Sequence, residues 1–346
     1  MIRAKLVSKS MVVGLLCLLN SGCYVQTADR SGVQESSTTT TTSAGNWEPS
    51  NAGLPSTSSG AQQQQTFQAK DVTYIITSQP IRLRQDLNPM LDKLRSRRGL
   101  ENTLVCAETV EIGGLFLCGG TTRVAQHVPL MRAAIYAEGR PSMNIPSAGQ
   151  FVSQQVAESG YGKSSGHDLP RILLQGFFSG AKRLCPDLSC LLEGEALFAS
   201  KVMLEFERRA SAGYSVVSFD VESEDSVNAA LKHEISHGQF FQQSGYRAAV
   251  QMFWYGLPLD IQRAAQKVVG VNYDVSNAEL LLNEFHAYIL DGKFSSLTAD
   301  SIASAKRYDF AFGSALEVLA TNAQQLNTSL RSSIQNAGQQ IWAGSL

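Results

Sequence analysis

A predicted helix over residues 225–243 restricts the fold more than any other part of this sequence. Its apolar residues recur every four positions, which is helical spacing: Val227, Leu231 and Ile235. His233 and His237 are also four residues apart and therefore share a different side of the helix. The fold must cover the apolar side with a core and bring another element to the histidine side.

The residues from 233 to 237 read HEISH, an HExxH pattern. Two imidazoles one helical turn apart can bind the same metal ion. Glu234 is offset by one residue, so it can address a water molecule beside the metal. We interpret the pattern as a zinc site; the alternative is a helix whose two histidines are satisfied without a metal.

This pattern resembles the zincin metallopeptidases, in which the two histidines bind zinc and the glutamate is the general base. The resemblance implies zinc ligation by His233 and His237, catalysis by Glu234 and one zinc ion per chain. It extends over residues 214–288 and not over residues 68–200. It also implies an α+β fold with a zincin-like core and a protein or peptide substrate.

The third ligand separates the zincin subclasses. The metzincin pattern requires Gly and His at the positions of Phe240 and Gln243, so the chain departs from it. Gluzincins use a glutamate on a later helix, and Asn283-Glu284 resembles the Asn-Glu pair of several such families. The resemblance therefore implies that Glu284 is the third metal ligand.

Two alternatives to Glu284 are Glu279 and His286. His286 lies about 200° around a helix from Glu284, so both residues cannot easily face one metal ion. If Glu284 binds the metal, we expect His286 to be structural or at the rim of the site.

Several gluzincins carry an aspartate four residues after this glutamate, where this chain has Tyr288. The hydrogen-bond partner of the metal-binding histidines is therefore open, with Asp291 and Asn283 as candidates. Tyr288 shares a helix face with Glu284, and we predict that it donates to the developing oxyanion. The alternative is a packed tyrosine with a satisfied hydroxyl group.

The segment from Tyr214 to Val221 is rich in β-branched and aromatic residues and predicts a strand just before the HExxH helix. Zincins commonly bind extended substrates on an upstream edge strand, and we expect this strand to serve that purpose; the alternative is an ordinary strand. Gly166 and Pro170 flank His167-Asp168, which predicts a turn there, with a pair near the active site as the alternative.

Residues 1–22 are predicted to be a signal peptide of the lipoprotein type. A basic start precedes an apolar run of nine residues, Met11 to Leu19, which is too short to span a bilayer. The segment ends in LNSGC, which resembles a bacterial lipobox and predicts lipidation of Cys23. An ordinary cleaved signal peptide is the alternative.

Four cysteines remain after Cys17 and Cys23, an even number that suits an oxidising compartment. Their spacing favours two local disulfides, although sequence cannot fix the connectivity: Cys106–Cys118 and Cys185–Cys190. Neither spacing is a CxxC knuckle, which argues against a zinc site made of cysteines.

The composition predicts three regions. Residues 1–22 are the signal peptide, residues 23–67 are the lipidated cysteine and a disordered Ser/Thr/Gln-rich tether, and residues 68–346 form the zincin-like domain, with two lobes possible. Few strands followed by many helices indicate an α+β domain with a small N-terminal β-containing portion and a mostly helical C-terminal portion.

The net charge of −1 argues against a nucleic-acid partner. The sequence therefore predicts an exported zinc metallopeptidase that hydrolyses peptide bonds and contacts a membrane through its lipid, at a bacterial outer membrane facing the periplasm or the cell surface. One alternative is a non-catalytic lipoprotein that serves as a binding platform. The other is a zinc hydrolase of a non-peptide or cell-wall amide.

Overall fold

The computed structural model describes residues 64–96, 102–137, 166–222 and 227–343. It also gives the backbone of two short strands, Gly22–Cys23 and Lys163–Ser164, which pair antiparallel. The sequence also predicts a helix over residues 147–158. This segment, the rest of the predicted signal peptide and most of the tether lie outside the described residues. Over the part that is described, no helix is long and apolar enough to cross a membrane.

A mixed six-stranded sheet forms the centre of the fold. In chain order its strands are β1 Gln65–Gln68, β2 Thr73–Ile76, β3 Thr103–Glu108, β4 Leu115–Gly120, β5 Gly166–Pro170 and β6 Ser215–Asp220. The order across the sheet is β1-β2-β3-β4-β6-β5. The β2/β3 and β4/β6 pairs are parallel, and the other pairs are antiparallel.

Helices cover both faces of this sheet and make up most of the described chain. They are α1 Leu83–Ser96, α2 Arg123–Ala137, α3 Arg171–Leu184, α4 Glu193–Leu197, α5 Met203–Arg209, α6 Val227–Gln242, α7 Ser244–Tyr255, α8 Leu259–Val269, α9 Ala278–Leu290, α10 Ala299–Tyr308 and α11 Phe310–Asn336. A π-helical turn, Phe198–Val202, joins α4 to α5, and a 3-10 turn, Phe294–Ser296, follows α9. The α+β class is confirmed.

Each face of the sheet has its own hydrophobic core. Helices α1 and α6 to α11 pack on one face, and α2 to α5 pack on the other. The HExxH helix α6 approaches the sheet closely at Gly238, where a Cβ atom would lie 2.5 Å from Leu115 Cδ1. The absent side chain therefore allows α6 to lie directly against β4, and the sheet becomes a rigid base for the histidines.

Both predicted disulfides are present. Cys106 and Cys118 lie directly opposite each other on β3 and β4, where they join neighbouring strands. Cys185 and Cys190 close a short loop just after α3. Local spacing was sufficient to predict the pairing because each partner is the nearest cysteine in the sequence.

Two expectations about strands were wrong. The Tyr214–Val221 segment forms β6, but β6 lies between β4 and β5 and is not an edge strand. His167-Asp168 lies within β5, which is at one edge of the sheet formed by the described strands, and does not form a turn. Antiparallel pairing with β6 holds this segment extended, and an edge strand tolerates a terminal Pro170, whose nitrogen donates no hydrogen bond.

The sheet also begins earlier than the predicted domain boundary at residue 68. Strand β1 starts at Gln65 and pairs with β2 along its whole length. Its residues alternate between half-buried and exposed, so main-chain hydrogen bonds hold it more than apolar burial does. A composition-based boundary could not detect such a strand.

Candidate metal centre

Two helices, α6 and α9, supply the candidate metal ligands. Helix α9 begins where the Asn277 side chain accepts hydrogen bonds from the amides of Glu279 and Leu280. From this start, the face carrying Glu284 turns toward α6. The HExxH residues and Glu284 are therefore brought together by the packing of two regular helices.

Three potential ligand groups converge without hydrogen bonding to one another. His233 Nε2 lies 3.7 Å from Glu284 Oε2, and His237 Nε2 lies 3.7 Å from Glu284 Oε1. Both distances are too long for hydrogen bonds. They are close to the ~3.4 Å that separates two ligands of a tetrahedral zinc ion with bonds of about 2.1 Å.

All three residues are buried, and their ligand atoms lie within 4.8 Å of one another. Glu284 Oε2 has no hydrogen-bond partner among the described residues, although it is fully buried. Burying a carboxylate oxygen without a partner is costly, and a cation between the three groups would offset that cost. The donor set of two nitrogens and one carboxylate therefore fits zinc.

Of the two candidate partners, Asp291 is the one that contacts His233, the first histidine of the pattern. Its Oδ2 lies 2.8 Å from His233 Nδ1, while its Oδ1 accepts a hydrogen bond from the Lys293 amide. Asp291 is the C-cap residue directly after α9, and Gly292 follows with a φ of +81°, a conformation that glycine adopts readily. The end of the helix thus fixes the aspartate behind the histidine.

The charges around the two histidines differ. Burial lowers the pKa of His233, but Asp291 and Glu284 outweigh this effect and raise the pKa to about 10. Burial lowers the pKa of His237 to about 4, against the opposing influence of Glu284. Burial thus keeps His237 in the neutral form that binds metals, whereas a metal ion would have to displace a proton from His233 in order to bind there.

Neither alternative third ligand joins this cluster. Glu279 is exposed and forms an ion pair with Arg247. His286 is buried, and its ring nitrogens lie near the carbonyl oxygens of Leu282 and Ser236. Its pKa is lowered to about 3, mainly by burial and then by His237. His286 therefore links α9 to α6 through backbone contacts.

Glu234, the predicted general base, is buried beside the edge strand. A Cβ atom at position 166 would lie 2.4 Å from Glu234 Cγ, so Gly166 provides the space that this carboxylate occupies. Tyr288, the predicted oxyanion donor, is buried with its ring centroid 5.2 Å from that of His233. Its role in catalysis remains a prediction.

Asp168 was predicted to lie in a turn, but it lies on strand β5 beside the candidate metal centre. Its carboxylate lies within 4.8 Å of Glu234 and His237, and its Oδ2 accepts a hydrogen bond from Asn283 Nδ2 at 3.3 Å. Burial raises its pKa to about 7, although His233 and Asn283 act in the opposite direction. The alternation of Gly166 and Asp168 along an extended segment was the signal that could have revealed it.

No protein-family model matches this chain. No curated protein and no solved structure matches it either. The resemblance to zincins therefore depends on the residues of the chain itself: the HExxH helix, the distant glutamate and the geometry that brings them together.

Proposed function

We propose that this protein is a zinc-dependent metallopeptidase of the gluzincin type. The observation that carries the proposal is the convergence of His233 and His237 on Glu284, with Asp291 behind His233. The three buried groups would hold one zinc ion per chain. Bound there, zinc would polarise a substrate carbonyl and lower the pKa of water.

Glu234 would act as the general base and then as the general acid. It would take a proton from the water whose oxygen attacks the carbonyl carbon of the scissile amide. As the C–N bond breaks, the same carboxyl group would return the proton to the leaving amine. Tyr288 is our proposed donor to the oxyanion, since it lies against His233.

The substrate would bind as an extended peptide along the outer edge of β5. Within the described ranges, β6 is the one strand that pairs with β5, and the peptide would add a strand on the side of β5 away from β6. Gly166 lies on this strand beside Glu234. A peptide added here would place a backbone carbonyl close to the proposed base.

We also propose export and membrane attachment. The two disulfides support an oxidising compartment. The lipobox-like sequence ending at Cys23 and the polar tether support a lipid anchor that holds the domain away from the membrane. An outer membrane, facing the periplasm or the cell surface, is the location that we propose.

The metal content of the purified full-length protein tests the proposal. We expect about one zinc ion per chain in the wild type and after Glu279→Ala, and a loss of zinc after Glu284→Ala. Glu279 is a matched control because it is an exposed glutamate on the same helix. A wild-type chain that takes up no zinc when it is supplied would overturn the metal site and favour the non-catalytic binding platform.

A further inference from the structure

The edge strand places a second carboxylate beside the proposed base. Asp168 and Gly166 are two residues apart on β5, so both face α6 and Glu234. Asp168 is half-buried, whereas Glu234 and His237 are buried. Asp168 is therefore the least buried member of this group, and it lies on the strand along which we propose that the substrate binds.

Asp168 does not belong with the three metal ligands. Its carboxylate groups with Glu234 and His237, while the proposed zinc ligands form a separate group that shares only His237 with it. Its oxygens point to the side of the site where the base lies. A role in contacting substrate accounts for this position better than a role in holding the metal.

The site carries an excess of negative charge. The charged and titratable groups that face Asp168 are Glu234, His237 and His233, all on α6. The site holds four carboxylates, and a divalent ion offsets two of their four charges: Asp168, Glu234, Glu284 and Asp291. No lysine or arginine in the described ranges forms an ion pair with Asp168.

We propose that Asp168 binds an ammonium group of the substrate next to the scissile bond, an inference that depends on the proposed function. A carboxylate has about four acceptor positions, and Asn283 uses one of them. An ammonium group supplies three donors and a charge. It can come from a free peptide N-terminus or from a lysine side chain adjacent to the cleaved bond.

Four hydroxamates test this proposal, because a hydroxamate binds zinc without being hydrolysed. Leucine hydroxamate and N-acetyl-leucine hydroxamate differ in the α-amino group. N-acetyl-lysine hydroxamate and N-acetyl-norleucine hydroxamate differ in the side-chain ammonium. The Kd of each is measured by calorimetry on the zinc-loaded full chain at about pH 7.3, which lies above the pKa of Asp168 and below the ordinary pKa of an α-amino group.

We expect one charged compound to bind the wild type roughly tenfold to a hundredfold more tightly than its neutral partner. The pair that shows the difference identifies the source of the ammonium. Asp168→Asn should abolish the difference and leave the neutral compounds unchanged, whereas Asp168→Glu should retain much of it. Asp92→Asn, at an exposed aspartate on α1, is the control and should change nothing.

Equal binding of charged and neutral compounds to the wild type would overturn the inference and leave the proposed function standing. So would a preference that survives Asp168→Asn. Failure of all four compounds to bind a zinc-loaded wild type would overturn the inference and the proposed function together. The wild-type comparison decides the matter even if the asparagine variant does not fold.

Discussion

Asp291 Oδ2 lies 2.8 Å from His233 Nδ1, and both side chains are almost completely buried. This contact fixes the ring of His233 so that Nε2 points toward Glu284, which lies on α9, the helix that Asp291 caps. The helix α9 and its C-cap residue therefore supply both the third proposed ligand and the group that orients the first. The two functions are separated by seven residues, or about two helical turns.

Asp291→Asn should weaken zinc binding while leaving the fold intact. The asparagine oxygen can still accept the hydrogen bond from the Lys293 amide, but the negative charge behind His233 is lost. Loss of such a partner typically costs 10- to 100-fold in metal affinity. Competition with a chromogenic chelator measures the change, and Asp300→Asn, an exposed aspartate of α10, is the control. Unchanged affinity would show that Asp291 does not support the ligand.

Gly166→Ala should reduce peptide hydrolysis without removing zinc. The new methyl group would meet Glu234 Cγ at 2.4 Å, so either the base or the edge strand must move. A displacement of about 1 Å can cost 100-fold in rate, and we expect a loss of roughly that size. Gly113→Ala is the matched control, because a Cβ there meets nothing within 4 Å. Equal rates for the two variants would contradict the placement of Glu234.

His167 should make the protein less stable in acid. Burial and the neighbouring His127 hold the pKa of His167 well below its ordinary value of 6.5. Below about pH 6.5, His167 is therefore protonated in the unfolded chain but stays neutral in the folded chain. This contribution to stability is complete above that pH and falls by up to about 1.4 kcal/mol for each pH unit below it.

His167→Gln removes this group and provides the test. When the pH falls from about 7.5 to about 5.5, we expect the wild type to lose roughly 1 kcal/mol of unfolding free energy relative to the variant. Urea unfolding at the two pH values measures it. Parallel curves for both proteins would show that His167 does not resist protonation in the folded state.

The parts of the structure that follow from local sequence could be predicted. Helix α6 was visible from the spacing of its apolar residues, and the HExxH pattern placed His233, Glu234 and His237 on it. The 3.6-residue period determines which side chains share a face, and it needs no knowledge of the rest of the chain. The two disulfides were also predictable from local sequence, since each closes a short loop.

The parts that depend on long-range pairing could not be predicted. Strand β5 lies next to β6 although about 45 residues separate them in the sequence, and nothing local indicates which strand is at the edge. Gly166 and Pro170 favour a turn when read alone. The sheet holds them extended and so brings Asp168 into the site.

The most direct test of the central proposal pairs two measurements, zinc content and peptide hydrolysis. Both are made on the same preparations of wild type and Glu234→Gln. Glutamine has nearly the same shape as glutamate but cannot take the proton, so zinc should remain at about one per chain. Cleavage of a casein-derived peptide mixture should fall at least about a hundredfold. Equal cleavage by both proteins, or none by a fully zinc-loaded wild type, would contradict the account.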